Sequence, residues 1–223
     1  MAVIKCTLAA ISAGLDLPPQ LLSALQSTIP AKYQAASGDV IQLTMDVWAN
    51  VPPLPAKVPV TAFQLHDLLT TITGNSATGQ HIAVLLTTSY NVQAFGAAAN
   101  ALGVMFDRGF QTPDDQNPPM QHPRLGCAIF LDTIKAFRSS SDYANEVLFT
   151  TLHELGHVFN LQHIEDPKNI MSSSGVTTIN PTFWDFETPH KIWLGNCGND
   201  QRVTPGQTNF MWNASFRCCG RTI

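Results

Sequence analysis

The stretch HELGHVFNLQH, residues 153 to 163, sets three histidines around one glutamate. His153 and His157 are four residues apart, so a helix places them one turn apart on the same face. Glu154 would project about 80° from the midpoint between them, near an ion that both imidazoles hold but poorly placed to ligate it. Two imidazoles one turn apart are suited to a single zinc ion. The stretch therefore predicts a metal site on a helix, with an acid-base group beside it.

One side of this predicted helix is apolar. Its members recur at helical spacing within a stripe about 60° wide, and they are Leu148, Leu152, Leu155 and Phe159. The two histidines lie about 140° to 180° from the centre of that stripe. We therefore expect the helix to bury its apolar side in the core and to present both imidazoles on the other side.

The third histidine requires the helix to stop. If the helix continued, His163 would be rotated by about 100° or more and carried ~9 Å along the axis, too far to share the ion. Asn160 stands where the chain must turn, and asparagine is the usual second choice after glycine for a helix-ending residue with positive φ. We expect Asn160 to end the helix at about 1 kcal/mol of strain relative to glycine. His163 can then reach the metal.

The preceding chain alternates between strand and helix patterns. Strands are predicted at residues 40–48, 81–87, 102–106 and 125–132, and an amphipathic helix at residues 61–74. Thr61 and Gln64 have the spacing of a capping box at the start of that helix. Residues 1–38 contain one short helix pattern, which Pro30 is expected to close. The alternation of strands and helices suggests a βαβ start.

The composition limits the size of the fold and the class of partner. The 223 residues suffice for one domain with appendages. The net charge is −4 and there is no run of lysines or arginines, so we expect no nucleic-acid partner. No apolar stretch reaches the ~18 residues that a membrane span needs, so we expect no membrane partner. Only 13% of the residues are charged, which is compatible with a secreted protein and leaves a cytoplasmic location open. We expect a monomer.

An odd number of cysteines leaves at least one of them unpaired within a monomer. The five cysteines are Cys6, Cys127, Cys197, Cys218 and Cys219. We expect Cys197 to form a disulfide with one of the two adjacent cysteines, and Cys127 to pair with the other. The alternative is that all five are reduced, buried thiols of a cytosolic protein.

The first residues, MAVIKCTLAAISAGL, combine a lysine with a short apolar run like a minimal secretory signal, although Asp16 interrupts the run early. Three interpretations stay open. The segment is a signal; or it is a pro-segment that places the Cys6 thiolate or the Asp16 carboxylate at the metal; or Asp16 opens the short helix and Cys6 is a free thiol.

The pattern HExxHxxNxxH, with Met171 eight residues later in DPKNIMSSSG, resembles the signature of the metzincin clan of zinc metallopeptidases. The matching positions are His153, Glu154, His157, His163 and Met171. The resemblance is strongest to matrix-metalloproteinase-like members, whose third histidine also leads through a short Asp-Pro turn to an Ile/Leu-Met pair. The chain departs from the clan at Asn160, where the clan has glycine.

The resemblance implies an α+β, metzincin-like fold with a twisted mixed sheet, an antiparallel edge strand and an active-site helix. It implies a catalytic domain at residues 39–223, with residues 164–223 as a small C-terminal subdomain, after an N-terminal segment at residues 1–38. It also implies that residues 125–131 form the edge strand, with which an extended substrate would pair. Met171 is expected to pack beneath the metal.

The function that the resemblance implies is a zinc-dependent endopeptidase acting on extended protein or peptide substrates. Zn²⁺ is expected on His153, His157 and His163, with water in the open fourth position. Glu154 is expected to take a proton from that water and to return it to the leaving amine. One alternative, motivated by Asn160, is a zinc-containing binding module or degenerate protease that does not cut its partner. Another keeps the chemistry with a non-peptide amide as the substrate.

Overall fold

Strands and helices follow one another along the chain. The computed structural model describes residues 2–12, 14–15, 17–36, 41–48, 54, 59–74, 81–90, 102–107, 124–137, 143–159 and 170–171. Within these residues the elements are β1 (Ala2–Ala10), α1 (Pro19–Ala36), β2 (Ile41–Trp48), α2 (Ala62–Thr73), β3 (His81–Thr87), β4 (Gly103–Asp107), β5 (Arg124–Phe130), α3 (Leu131–Phe137) and α4 (Tyr143–Val158). The predicted α+β class is confirmed.

The strands form one sheet in the order β2-β1-β3-β5-β4. β1 pairs in parallel with both β2 and β3, and β3 pairs in parallel with β5. β4 runs antiparallel to β5 and stands at the end of this order. The predicted mixed sheet with an antiparallel edge strand is therefore confirmed.

Helices cover both faces of the sheet. Side chains alternate between the two faces along each strand, so each strand contributes side chains to both layers. One face carries Ile4, Cys6 and Leu8 of β1 and packs against α1, α3 and α4. The other face carries Ala9 and Ile11 and packs against α2. Parallel strands between two helix layers are apolar on both faces, as β3 is from Ile82 to Leu86, whereas Val3 and Lys5 on one face of β1 are exposed. The helix with the histidine motif, α4, contacts β4 and β5.

The capping box predicted at the start of α2 is present. Thr61 Oγ1 accepts a hydrogen bond from the backbone N–H of Gln64 at 3.2 Å, and Gln64 Oε1 accepts one from the backbone N–H of Thr61 at 2.9 Å. At the other end Gly74 has a φ of 64°, which glycine adopts without a Cβ clash. Both ends of α2 are thus fixed by local sequence.

The residues assigned to a separate N-terminal segment belong to the core of the sheet. β1 lies between β2 and β3, and Cys6 in its middle is fully buried. α1 continues through Pro30, because the buried Ile29 and Tyr33 on either side offset the ~3 kcal/mol cost of a proline inside a helix. The boundary after residue 38 and the helix end at Pro30 are therefore corrected. Cys6 is held in the sheet, and Asp16 lies outside the described residues.

A second correction concerns the edge of the sheet. Residues 125–131 were expected to form the edge strand, but β5 is hydrogen-bonded on both sides, to β3 and to β4. The edge position belongs to β4. The physical reason is that pairing sets the order of strands in a sheet. β3 pairs with one side of β5, and β4 pairs with the other side and so lies outside it. Leu131 already belongs to α3.

Gly126 allows β5 to approach β3 closely. Its φ is 141°, in the region that favours glycine. A Cβ at this position would overlap the carbonyl oxygen of Ala83 on β3. The position therefore requires glycine both for its backbone conformation and for the approach of the neighbouring strand.

Part of the predicted C-terminal subdomain can be placed. Ile170 and Met171 are buried in the same apolar cluster as Leu155 and Phe159. Residues 160–169 and 172–223 lie outside the described residues. Among the helices that the structure describes, none is long and apolar enough to cross a membrane.

Candidate metal centre

The helix that carries the histidine motif, α4, is buried around its circumference. Every residue from 146 to 158 is buried, and Leu155 on the apolar stripe is completely so. On the opposite side, His153 and His157 are only 1% and 7% exposed. The chain returns over that side at Ile170, which contacts His153.

The two imidazoles meet at their Nε2 atoms. His153 Nε2 and His157 Nε2 are 3.2 Å apart, and the ring planes cross at 85°. Two Zn–N bonds of about 2.0–2.1 Å at a tetrahedral angle would place their nitrogens about 3.4 Å apart. The pair therefore has the separation that one shared zinc ion requires.

A backbone carbonyl sets the tautomer of His153. His153 Nδ1 donates a hydrogen bond to the Ile170 carbonyl oxygen at 2.7 Å, since that oxygen can only accept. In the neutral ring Nε2 then carries the lone pair, which is the form that ligates metals. Metal-binding histidines commonly have their other nitrogen held in this way. The residues present thus fit a zinc ion, provided that His157 also turns a lone pair toward it.

The third predicted ligand, His163, lies outside the described residues. Within the part of the chain that the structure describes, no three His, Cys, Asp or Glu side chains meet to hold an ion. α4 ends at Val158, so the helix stops before Asn160. This is required if His163 is to reach the same ion as the other two histidines. The backbone of Asn160 is also outside the described residues, and its positive φ stays a prediction.

Glu154 is buried beside the histidines, with 5% of its surface exposed. Burial raises the pKa of its carboxyl from 4.5 to about 7, and the charge of His157 opposes this rise. A carboxyl with a pKa near neutrality can both accept and return a proton at neutral pH, as general acid-base catalysis requires.

The side chain of Glu154 packs against Gly103, the first residue of the edge strand β4. A Cβ at Gly103 would lie 2.5 Å from Glu154 Cγ and 3.1 Å from Glu154 Cδ. The sequence analysis missed this contact, although one signal was available. Gly103 closes the small-residue stretch FGAAANALG at the start of a strand, and a glycine in a strand often marks a close approach.

Helix α1 contacts α4, and the residue that follows α4, through Tyr33. The Tyr33 hydroxyl donates a hydrogen bond to the Leu152 carbonyl at 2.5 Å, and its ring centroid lies 4.7 Å from that of Phe159. Burial raises the pKa of Tyr33 well above its usual value, which keeps the hydroxyl a donor. These contacts bracket the histidine pair. Tyr33 was missed because the sequence predicted that its helix ended earlier.

Two cysteines are buried free thiols, Cys6 on β1 and Cys127 on β5. Burial is the main cause that raises the pKa of both thiols, and Glu154 raises that of Cys127 further. The disulfide expected at Cys127 is therefore corrected, and for these two residues the alternative of buried thiols holds. The other three cysteines lie outside the described residues.

Comparison with known proteins finds similarity in structure. No family model matches the chain, and no curated protein matches it. Archaemetzincin from Methanopyrus kandleri matches with a TM-score of 0.49 and 15% identity, over 84% of this chain and 88% of that chain. A zinc-dependent peptidase from Methanocorpusculum labreanum strain Z matches with a TM-score of 0.44 and 12% identity, over 80% of this chain and 97% of that chain.

A third solved structure, metalloproteinase-II from Bacteroides fragilis, matches with a TM-score of 0.51 and 12% identity. The match covers 83% of this chain and 49% of that chain, so this chain spans about half the length of metalloproteinase-II. At this identity the similarity is one of fold. The chain thus has a metalloproteinase-like fold, and the narrower likeness to matrix-metalloproteinase-like members is not shown.

Proposed function

We propose that the protein is a zinc-dependent endopeptidase. The observation that carries the proposal is the buried pair of His153 and His157, whose Nε2 atoms are 3.2 Å apart, with the buried Glu154 between them in sequence. The fold similarity to a metalloproteinase from Bacteroides fragilis supports the class. We propose His163 as the third ligand, because it completes the pattern HExxHxxNxxH.

The ligands and the acid-base group have separate roles. When bound, zinc supplies a Lewis acid that polarises a carbonyl and makes water reactive near neutral pH. His153 keeps its ligating nitrogen in place through its hydrogen bond to Ile170. Glu154, with a pKa of about 7, accepts a proton from the attacking water and donates it to the leaving amine nitrogen.

The substrate is proposed to be an extended peptide that pairs with the edge strand. β4 takes this role in place of residues 125–131, because β4 stands at the end of the sheet and β5 does not. Strand addition of this kind gains affinity from backbone hydrogen bonds and specificity from pockets for alternate side chains. Gly103 of β4 is in contact with Glu154, so a peptide along this strand would pass close to the acid-base group.

Zinc content and hydrolysis of denatured casein, measured on the same preparations, test the proposal. We expect about one zinc per chain, as a mononuclear site requires, and cleavage that a chelator abolishes and added zinc restores. Glu154→Gln should keep the zinc and lose hydrolysis, whereas His153→Ala and His157→Ala should lose both. Thr73→Val, which removes a buried hydroxyl on α2, is the control that should change neither.

Three results would overturn the proposal. Cleavage by Glu154→Gln at the wild-type rate would remove Glu154 from the reaction, and absence of zinc binding by the wild type would remove the metal site. Zinc binding without cleavage of casein or a peptide library would instead favour the binding module or a non-peptide amide as the substrate.

A further inference from the structure

We propose that Gly103 is a positioning residue for Glu154, and that its missing Cβ provides the space in which the catalytic carboxyl is held. The inference rests on the proposed function, because that function makes Glu154 the proton carrier. It assigns a role in the site to the edge strand, which is distant in sequence from the histidine motif.

The direction in which residue 103 faces follows from strand alternation. Met105, two residues on, packs against the cluster that contains α4, while Val104 and Phe106 pack against the cluster on the other face. Any Cβ at position 103 would therefore point toward α4. It would lie 2.5 Å from Glu154 Cγ, whereas carbon atoms in good contact are about 3.5–4.0 Å apart.

The clash cannot be relieved by a small movement of the glutamate tip. Cγ is placed by χ1, and χ1 settles into staggered positions about 120° apart, one of which is rare in helices. A methyl group at residue 103 would thus force Glu154 into another rotamer and carry its carboxyl away from its present place. The backbone has little room to yield, since the same Cβ would also lie 3.1 Å from the Ala128 carbonyl oxygen.

The kinetic test compares Gly103→Ala with Val104→Ala, a matched control on the same strand whose side chain faces the opposite layer. For Gly103→Ala we expect kcat to fall roughly 10- to 100-fold, the scale of loss for a misplaced catalytic group. We expect KM to change by less than about twofold, because the Glu154 carboxyl acts in the transition state and not in substrate binding. Zinc content should equal that of the wild type. Val104→Ala should keep kcat.

A double-mutant cycle tests the contact itself without any reaction. Gly103→Ala should lower Tm by about 5 °C, as expected for one extra carbon forced into a packed site in a chain of this length. In the Glu154→Ala background, which lacks Cγ and Cδ, the same substitution should lower Tm by less than half as much. Because the cycle needs no hydrolysis, it remains informative if the proposed function fails.

The outcomes separate the two proposals. Equal loss of Tm in both backgrounds, or failure of both Gly103→Ala proteins to fold, would place the clash at the strand backbone and overturn the role of Gly103. An unchanged kcat in Gly103→Ala would overturn it as well. Coupling in Tm with no hydrolysis by the wild type would keep the contact and reject the peptidase.

Discussion

The pH dependence of stability provides a direct test of the burial of Glu154. The carboxyl has a pKa of about 7 in the folded protein against an ordinary value of 4.5, so the folded state holds the proton more tightly than the unfolded state. The proton held by Glu154 therefore contributes fully to the free energy of unfolding below pH 4.5, and this contribution is lost as the pH rises toward 7. At about 1.4 kcal/mol per pKa unit, the loss amounts to about 3 kcal/mol.

The measurement is urea unfolding of chelator-treated protein between about pH 4.5 and 7.5, for the wild type and for Glu154→Gln. The free energy of unfolding of the wild type minus that of the variant should fall by about 3 kcal/mol over this range. Asp67→Asn controls for the loss of a carboxylate, because the Asp67 side chain is 85% exposed. A difference that stays constant within about 0.5 kcal/mol would refute the argument.

Three further substitutions or reactions test other contacts. Tyr33→Phe removes the buried hydrogen bond to Leu152, and urea unfolding should show a loss of about 1–2 kcal/mol; no loss would contradict the contact. Gly126→Ala adds a Cβ that overlaps the Ala83 carbonyl, so circular dichroism should show a Tm lower by about 10 °C or no folded protein; a wild-type melt would argue against the pairing of β3 with β5. Cys127 should resist a thiol reagent in the native protein and react in urea, as followed by mass spectrometry, and rapid labelling of the native protein would exclude its burial.

Local sequence patterns predicted the elements that depend on local interactions. The capping box of Thr61 and Gln64 involves residues three apart, so it could be predicted before any tertiary contact was known. The spacing of His153 and His157 likewise fixes their relation on a helix, and their ring nitrogens do meet. Such predictions succeed because the interacting groups lie within a single turn.

The N-terminal strand could not be recognised from its own residues. β1 is a mostly apolar run with one lysine, Lys5, and this is also the composition of a short secretory signal. The rule for Pro30 failed for a related reason. Its cost is local, but the burial of Ile29 and Tyr33 that offsets it comes from packing against other elements.

The contacts that surround the histidine pair were not predicted either, because they come from distant parts of the chain. Ile170 supports His153 from beyond the helix, and Gly103 supports Glu154 from the edge strand. The edge strand itself could be assigned only once the pairing of β4 with β5 was known. Sequence spacing thus predicted that the two imidazoles meet, and tertiary structure was needed for their surroundings.

The place of β1 between β2 and β3 imposes an order on folding. During synthesis β1 precedes β2 and can pair with it early, but its other side stays open until β3 has followed. Such pairings between distant parts of the chain are slow to form. α4 is made later and docks on α1 and on strands that are already assembled. The contacts that surround the two imidazoles therefore form late, on a platform that earlier parts of the chain have helped to build.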